Sequence, residues 1–390
     1  MVPDVDLMAL RAGRLARLQA AMRAFDIEVC LLFNEPNIRY ATGASAMPIW
    51  SNTTFVRCAL VPAEGRPILF EHGNSVHRSR MVAEEVRPMH AWEFYDDAAT
   101  EAAVWARETV DAMRELGVSG DAVAIDRLGT PGLLALEHEG IAIVDSAPTT
   151  QEAREVKTPE EVRLLEINGE LVVDMLAAFE GALAPGIRER ELLAVLADTL
   201  LRGGGEFLAT STVCSGPNTN PWRAEATDRV IEPGNLVYVD TDSVGIEGYF
   251  FCVSRTFLCG DGEATPAQRD TYRAAFDWLE GMKALVRPGV TCRELALRAP
   301  KLPEKYLPQR YECMIHSIGL EEESPSVCYP MDQQPNPDRL IQEGMVLVVE
   351  LYAGEVGGNH GVKLGDQVLV TRGGSKLLAP YPFSEALLGA

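Results

Sequence analysis

The chain has 390 residues, of which 47% are hydrophobic and 24% are charged. This composition is typical of a folded globular protein and argues against an intrinsically disordered one. With 35 basic and 57 acidic residues, the net charge is −22, which argues against nucleic acid or an anionic membrane as a partner, because phosphate groups repel such a surface. At roughly 150 residues per domain, the length predicts two domains.

Cysteine usage and the amino-terminal segment favour a cytoplasmic protein. The eight cysteines contain no CxxC pair, and most of them have apolar neighbours, which predicts reduced, buried thiols. The first 22 residues carry acids and arginines and lack the apolar core of a signal peptide. No apolar run approaches the roughly 20 residues that a membrane span needs, so no membrane association is expected.

Residues 1–155 alternate between helical and strand-like patterns, which predicts a mixed α/β domain. In chain order, the predicted elements are a helix at 11–24, a strand at 28–33, a turn at 34–37, a hairpin at 56–70, a helix at 103–116 and a strand at 122–125. A second domain, 156–390, is predicted to begin just before a clear helix start. Thr158, Pro159 and Glu161 match a capping box with proline at the first helical position, and a long helix is expected over 159–183.

The second half contains an internal repeat. A turn that begins a helix occurs twice, at 184–192 and at 287–295. A glycine turn that leads into an apolar strand also occurs twice, at 231–240 and at 341–350. Each apolar strand ends in an acid, Asp240 in the first copy and Glu350 in the second. Duplicated units of this kind predict a domain with pseudo-twofold symmetry, in which the two acids approach each other.

Several candidate metal ligands lie on these apolar strands. Asp240 and Asp242 are two residues apart and therefore project from the same side of an extended chain. His316 lies in another apolar, strand-like segment, and Glu350 ends a third. A buried acid is costly unless it is paired or bound to a metal. The set of Asp240, Asp242, His316 and Glu350 suits a divalent ion such as iron, manganese or zinc.

The motifs of the second half resemble those of the pita-bread superfamily of methionine aminopeptidases, prolidases and creatinases. They are Ser215-Gly216-Pro217-Asn218, Val239-Asp240-Thr241-Asp242, Ser254-Arg255-Thr256-Phe257, His316-Ser317-Ile318-Gly319, Glu343-Gly344-Met345 and Gly361-Val362-Lys363-Leu364. The first half resembles the creatinase/prolidase amino-terminal domain. Asn37-Ile38-Arg39-Tyr40-Ala41-Thr42, Ser215-Gly216-Pro217-Asn218-Thr219-Asn220-Pro221-Trp222, the doubled Asp240 and Asp242, and Tyr381-Pro382-Phe383 resemble most the dimethylsulfoniopropionate lyase branch of the superfamily. The resemblance implies an α/β (α+β) protein with a creatinase/prolidase-like first domain and a duplicated pita-bread second domain.

The chain also departs from the family pattern. Peptidases of the family have a histidine where 219–222 reads Thr-Asn-Pro-Trp, and creatinase places its catalytic histidine there. Cys252 and Gly365 occupy the two positions where the family has carboxylates that bridge a pair of metals. Two divalent ions about 3.5–4 Å apart need such bridging anions. The site is therefore expected to hold no metal or one. Cys252 is either a small buried residue or a thiolate that would favour zinc.

The resemblance to the lyase branch implies roles for three pocket residues. Glu322 stands six residues after His316, where the lyases carry an aspartate base. Tyr311 matches a pocket tyrosine that donates to a developing enolate or simply packs. His316 itself can act as an acid or base if no metal occupies it. The alternative for Glu322 is a solvated acidic loop, because it lies between two other glutamates.

The resemblance also assigns residues to substrate binding. Phe55 and Arg57 resemble the Phe-x-Arg pair with which creatinase grips its substrate, and Arg57 is a candidate for binding a substrate carboxylate. Trp50 and Trp222 are candidates for packing against a sulfonium or quaternary ammonium group. The alternatives are interdomain packing for the tryptophans and a surface ion pair for Arg57.

These observations predict an enzyme that acts on a small, carboxylate-bearing, betaine-like substrate. The leading prediction is a C–S lyase that abstracts a proton and eliminates. The alternatives are a metal-poor creatinase-like C–N hydrolase, an Xaa-Pro peptidase-like hydrolase, and a non-catalytic homologue. By resemblance, a homodimer is expected, in which the neighbouring subunit can complete the pocket.

Overall fold

The computed structural model describes residues 5–45, 49, 53–332 and 336–389. The chain divides into two compact units, Asp6–Arg154 and a second built from Glu155–Ala390. Within the part of the chain that is described, no helix is both long and apolar enough to cross a membrane.

The first unit is a mixed six-stranded sheet with helices. Its helices are α1 (Leu7–Ala24), α2 (Glu35–Thr42), α3 (Val76–Ser79), α4 (Ala98–Glu115), α5 (Thr130–His138) and α6 (Ala147–Glu155), the last of which ends at the unit boundary. Its strands are β1 (Val29–Leu32), β2 (Cys58–Pro62), β3 (Ile68–Glu71), β4 (Glu85–Pro88), β5 (Ala122–Ile125) and β6 (Ala142–Asp145). The strand order is β4-β3-β2-β1-β5-β6, and the hairpin predicted at 56–70 is the antiparallel pair of β2 and β3.

The turn predicted at 34–37 is wrong, because these residues begin helix α2. Asn34 is the N-cap residue with an extended backbone, and Pro36 lies in the first turn. Proline is compatible with that position, since the amide it lacks would have no partner inside the helix. The Asn and Pro that suggested a turn are therefore helix-start residues.

The long helix predicted at 159–183 starts with the predicted capping box. The Thr158 hydroxyl accepts a hydrogen bond from the Glu161 amide, and the Glu161 carboxylate accepts one from the Thr158 amide. The helices are α7 (Pro159–Ala182), α8 (Glu189–Arg202), α9 (Pro266–Lys283), α10 (Cys292–Arg298) and α11 (Glu385–Leu388). The strands are β7 (Phe207–Leu208), β8 (Val213–Ser215), β9 (Leu236–Asp240), β10 (Ser243–Val244), β11 (Phe250–Phe251), β12 (Ser254–Leu258), β13 (Cys313–Ile318), β14 (Glu322–Cys328), β15 (Val346–Gly354), β16 (Gly361–Thr371) and β17 (Gly374–Leu377).

The large sheet of the second unit shows the predicted duplication. Its order is β14-β13-β15-β16-β12-β9-β8, with β17 beside β16. Strands β12 and β16 form the centre, and the repeated strands β9 and β15 flank them symmetrically. This is the pita-bread arrangement expected from the repeat. The pseudo-twofold axis passes between β12 and β16, so the acid-bearing strands β9 and β15 are each the second strand from the axis.

The two faces of this sheet differ in chemistry because side chains alternate along each strand. One face carries apolar residues such as Leu347, Val349 and Leu364, which join an apolar core that includes Trp278 and Leu279 of α9. The opposite face carries the acids and other polar residues of the candidate site. Both faces are buried, so the polar face is where unusual electrostatics are expected.

Candidate active site

One transverse row of residues forms the floor of the site. Asp240 pairs with Ser254, Ser254 pairs with Gly365, and Gly365 pairs with Glu350, across four adjacent strands. The two acids that end the repeated strands therefore face the same side of the sheet from symmetric positions. The prediction that the fold brings Asp240 and Glu350 together is confirmed.

His316 and Cys252 complete the cluster around Glu350. The His316 Nε2 atom lies 3.3 Å from Glu350 Oε1, and its Nδ1 atom lies 3.1 Å from the Ser317 carbonyl oxygen. Cys252 Sγ lies 3.5 Å from Asp240 Oδ1 and 3.9 Å from Glu350 Oε2. Asp242 follows the end of β9, and its carboxylate accepts a 2.9 Å hydrogen bond from the Thr210 hydroxyl.

Lys363 is the residue of this site that the sequence analysis missed. Its ammonium donates to Glu350 Oε2, lies 3.7 Å from Asp240 Oδ2 and is completely buried. The signal was present, because Lys363 interrupts an apolar strand and stands two residues before Gly365, on the same face. Lys363 also belongs to the Gly361–Leu364 motif, but the sequence alone indicated no role for it.

The position of Lys363 sets the ionisation of the two acids it contacts. Burial by itself raises the pKa of Glu350, but the charge of Lys363 and the hydrogen bond with His316 lower the pKa to about 2. Burial raises the pKa of Asp240, and the charge of Glu350 adds to this increase, which Lys363 only partly offsets. Burial, followed by the charge of Asp240, raises the pKa of Asp242 to about 7.

Burial and nearby charges also shift the pKa values of His316, Cys252 and Lys363. Burial opposes protonation of His316, yet the hydrogen bond and charge of Glu350, with a further contribution from Glu322, raise its pKa. Burial, reinforced by the surrounding carboxylates, raises the pKa of Cys252 well above its usual value, so the thiol is protonated. Burial lowers the pKa of Lys363, but Glu350 and Asp240 reverse this and raise it, so the amine is charged.

An aromatic pair adjoins the charged cluster. The Lys363 Nζ atom lies 3.6 Å from the centroid of the Tyr311 ring, and the Trp222 ring packs edge-on against Tyr311 with centroids 5.3 Å apart. The Trp222 side chain is 38% exposed. The Tyr311 hydroxyl is largely buried, and this burial raises its pKa. The structure therefore brings two of the predicted pocket residues together and gives one of them an accessible ring.

Glu322 occupies the first position of β14, opposite Ile318, and its side chain is exposed. Its neighbour Glu323 points inward and forms a 2.5 Å buried ion pair with Lys157. Glu322 is therefore accessible, whereas Glu323 is held in an ion pair. The charge of Glu322 contributes to the raised pKa of His316. Its role as a base stays a prediction.

Asp366, the acid that follows Gly365, does not belong to the candidate site. Asp366 faces the other side of β16, where it is buried in ion pairs with Arg255 and Lys283 at 2.8 and 2.5 Å. It cannot replace the missing carboxylate at Gly365. A Cβ atom at Gly365 would lie 3.1 Å from both Glu350 Cβ and Ser254 Oγ, so a side chain there would project into the site.

The substrate-binding residues predicted in the first unit have other partners. The Arg57 guanidinium is buried and contacts Glu35 at 2.5 Å and Glu71 at 3.0 Å. Phe55 stacks on Trp92, with ring centroids 6.2 Å apart. The ion pair of Arg57 is internal to the unit, in contrast to the surface pair considered as the alternative. Trp50 lies outside the described residues.

The described residues include two groups of side chains that could hold a metal ion. Two groups of potential ligands have atoms within 4.8 Å of one another, Asp240 with Asp242 and Cys252, and Cys252 with His316 and Glu350. The two groups share Cys252, and the Lys363 ammonium contacts both Asp240 and Glu350. Because positions 252 and 365 carry no carboxylate, neither position supplies a carboxylate that could bridge two metal ions.

The fold and the site together define a class of protein, and family models agree with it. Residues 163–372 match the model described as metallopeptidase family M24, and residues 14–156 match the creatinase/prolidase N-terminal domain. The chain belongs to metallopeptidase family M24. The match covers both halves of the chain, as the motifs predicted.

The chain is also similar in sequence to individual proteins of known name. The chain is 33% identical to dimethylsulfoniopropionate lyase DddP of Roseovarius nubinhibens, over 98% of this chain and 89% of that protein. The DddP of Roseobacter denitrificans is 31% identical over 98% of this chain and 88% of its own length. An Xaa-Pro dipeptidase of Pyrococcus furiosus is 28% identical, but over only 58% of this chain and 64% of its own length.

Solved structures support the fold. An Xaa-Pro dipeptidase from Bacillus anthracis superposes with a TM-score of 0.78 at 20% identity, covering 96% of this chain and 98% of that chain. The resemblance to the DddP branch and to a pita-bread enzyme is therefore confirmed.

Proposed function

We propose that the chain is a carbon–sulfur lyase that acts on a small, betaine-like sulfonium carboxylate of the dimethylsulfoniopropionate kind. The observation that carries the proposal is the similarity to two dimethylsulfoniopropionate lyases over 98% of the chain. The absence of a histidine from 219–222 supports it, because the peptidases and creatinases of the family use one there.

The charge of the site supports a cationic substrate. Three carboxylates, Asp240, Asp242 and Glu350, face one ammonium and one histidine, and the thiol of Cys252 is neutral. Burial raises the pKa values of Asp240 and Asp242, and a positively charged group bound beside them would stabilise their ionised forms. The exposed ring of Trp222 beside Tyr311 offers an aromatic face of the type that attracts sulfonium and quaternary ammonium groups.

The proposed reaction is a proton abstraction followed by elimination. Glu322, or His316 in its place, takes a proton from the carbon next to the substrate carboxylate. The electron pair of that C–H bond forms the new C=C bond, and the C–S bond breaks with its pair remaining on sulfur. The products are dimethyl sulfide and acrylate, and the proton stays on the base. Tyr311 would stabilise the negative charge that develops on the carboxylate.

We propose that the site holds at most one divalent ion, iron, manganese or zinc. The ligand atoms of Asp240, Asp242, Cys252, His316 and Glu350 support one ion, and the lack of bridging acids opposes two. Cys252 would have to lose its proton to become a ligand. No step of the proposed reaction depends on a metal.

A direct assay tests the function. The purified full-length chain, incubated with dimethylsulfoniopropionate, is expected to release dimethyl sulfide into the headspace and acrylate into solution in equal amounts. The alternative supported by the M24 match is hydrolysis, which cleavage of an Xaa-Pro dipeptide or of creatine without release of dimethyl sulfide would indicate. If all three substrates are left unchanged, the chain is a non-catalytic member of the family.

The resemblance also carries two further proposals, a homodimer and a cytoplasmic location. All eight cysteines are free, which supports a reducing compartment. The net charge of −22 gives no support to a nucleic-acid partner. Arg57 as a ligand for the substrate carboxylate has no support from its contacts, since Glu35 and Glu71 already bind its guanidinium.

A further inference from the structure

The carboxylate pair at the centre of the site is held by a cation that belongs to the chain. The Glu350 carboxylate is contacted on both oxygens, Oε1 by His316 and Oε2 by Lys363. Asp240 Oδ2 lies 3.7 Å from the same Lys363 ammonium. The side chains of Asp240, Glu350 and Lys363 are 5%, 2% and 0% exposed, so water contributes little to the screening of these charges.

This arrangement conflicts with a pair of metal ions. The ammonium lies between the two acids that end the duplicated strands, and it uses lone pairs that a bridged metal pair would need. It also repels any divalent ion bound next to it. The two positions that would supply bridging carboxylates are Cys252, whose side chain is a thiol, and Gly365, which has no side chain.

We propose that Lys363 is the resident cation of this site. Its ammonium contacts both Asp240 and Glu350, so it offsets part of their negative charge and holds the two carboxylates in place. Because it also lies over the Tyr311 ring, it connects the charged cluster to the aromatic pair of Tyr311 and Trp222. Lys363 is thus a positioning residue for the site. The inference does not depend on which reaction the site performs.

The test compares the full-length wild type with Lys363→Met, which keeps the length but removes the charge, and Lys363→Arg, which keeps the charge. Thermal midpoints are measured with EDTA and with MnCl₂, and bound manganese is measured by equilibrium dialysis. The wild type is expected to bind no more than one divalent ion per chain, and EDTA is expected to lower its midpoint by less than the Lys363→Met change does. Removing one partner of a buried pair is expected to lower the midpoint of Lys363→Met by about 5 °C or more.

The distinguishing result is the response to manganese. Lys363→Met is expected to bind one Mn²⁺ per chain more than the wild type and to recover at least about half of the lost midpoint. Lys363→Arg is expected to keep the wild-type stoichiometry. If Lys363→Met fails to fold, the proposal requires that Mn²⁺ restore folding.

Three results would overturn the inference. The first is a wild type that holds two divalent ions per chain and loses stability in EDTA, which would mean that a metal pair holds the acids. The second is a destabilised Lys363→Met that manganese neither binds additionally nor restores, which is the behaviour of an ordinary structural ion pair. The third is an additional Mn²⁺ in Lys363→Arg. Lyase activity enters none of these readouts, so failure of the proposed function is recognised separately.

Discussion

Replacing Cys252 by Asp and Gly365 by Glu in one chain is expected to add one tightly bound divalent ion per chain. Both positions face the candidate site: Cys252 Sγ lies 3.5 Å from Asp240, and a Cβ at Gly365 would lie 3.1 Å from Glu350 Cβ. The two new carboxylates would supply the bridging anions that a metal pair requires. They would also outweigh the repulsion from Lys363. Manganese stoichiometry after dialysis measures the change.

The single variants are the controls, because a bridged pair needs both acids. Cys252→Asp alone and Gly365→Glu alone are each expected to bind fewer ions than the double variant. The 3.1 Å contact at Gly365 requires a small shift of Glu350 or Ser254, so the circular dichroism spectrum and thermal midpoint of each variant must be recorded. A folded double variant with unchanged metal content would refute the explanation based on missing ligands.

The second large effect concerns Glu322. Changing Glu322 to Gln removes the base but keeps the shape of the side chain, and it is expected to lower kcat for dimethyl sulfide release by about 10²–10⁴-fold. KM is expected to change less than kcat, because the proposed base acts in proton transfer and not in substrate binding. The fold is expected to stay intact, since Glu322 is exposed at the start of β14. Initial rates of dimethyl sulfide release over a range of substrate concentrations separate the two parameters.

Glu321→Gln is the matched control, because it removes the same charge one residue away. It is expected to retain close to wild-type kcat. If Glu322→Gln keeps most of its activity while His316→Gln loses it, the base is His316, the alternative that the sequence left open. If both variants remain active, proton abstraction by this cluster is excluded.

Much of the fold follows from local sequence signals. The capping box of Thr158 and Glu161 marks the start of α7, and the repeat predicts the symmetric placement of β9 and β15. These signals work because each depends on residues close together in the chain. The repeat also predicts that Asp240 and Glu350 face one site, since symmetry relates positions that are otherwise far apart.

The parts that the sequence did not reveal depend on long-range contacts. Arg57 has the spacing of a substrate-binding arginine, but Glu35 and Glu71 bind its guanidinium, and no local pattern indicates that pairing. Lys363 resembles an ordinary strand residue until Glu350 and Asp240 are placed around its ammonium. Helix α2 was missed because proline and asparagine are common both in turns and at helix starts.

We propose that this M24 chain lacks the anions that would hold a pair of metals and has a lysine among its acids. Elemental analysis of the purified wild-type protein by inductively coupled plasma mass spectrometry tests it most directly, with protein concentration determined by amino-acid analysis. The account predicts no more than one equivalent of iron, manganese and zinc combined per chain. Two equivalents per chain, retained after gel filtration, would contradict it.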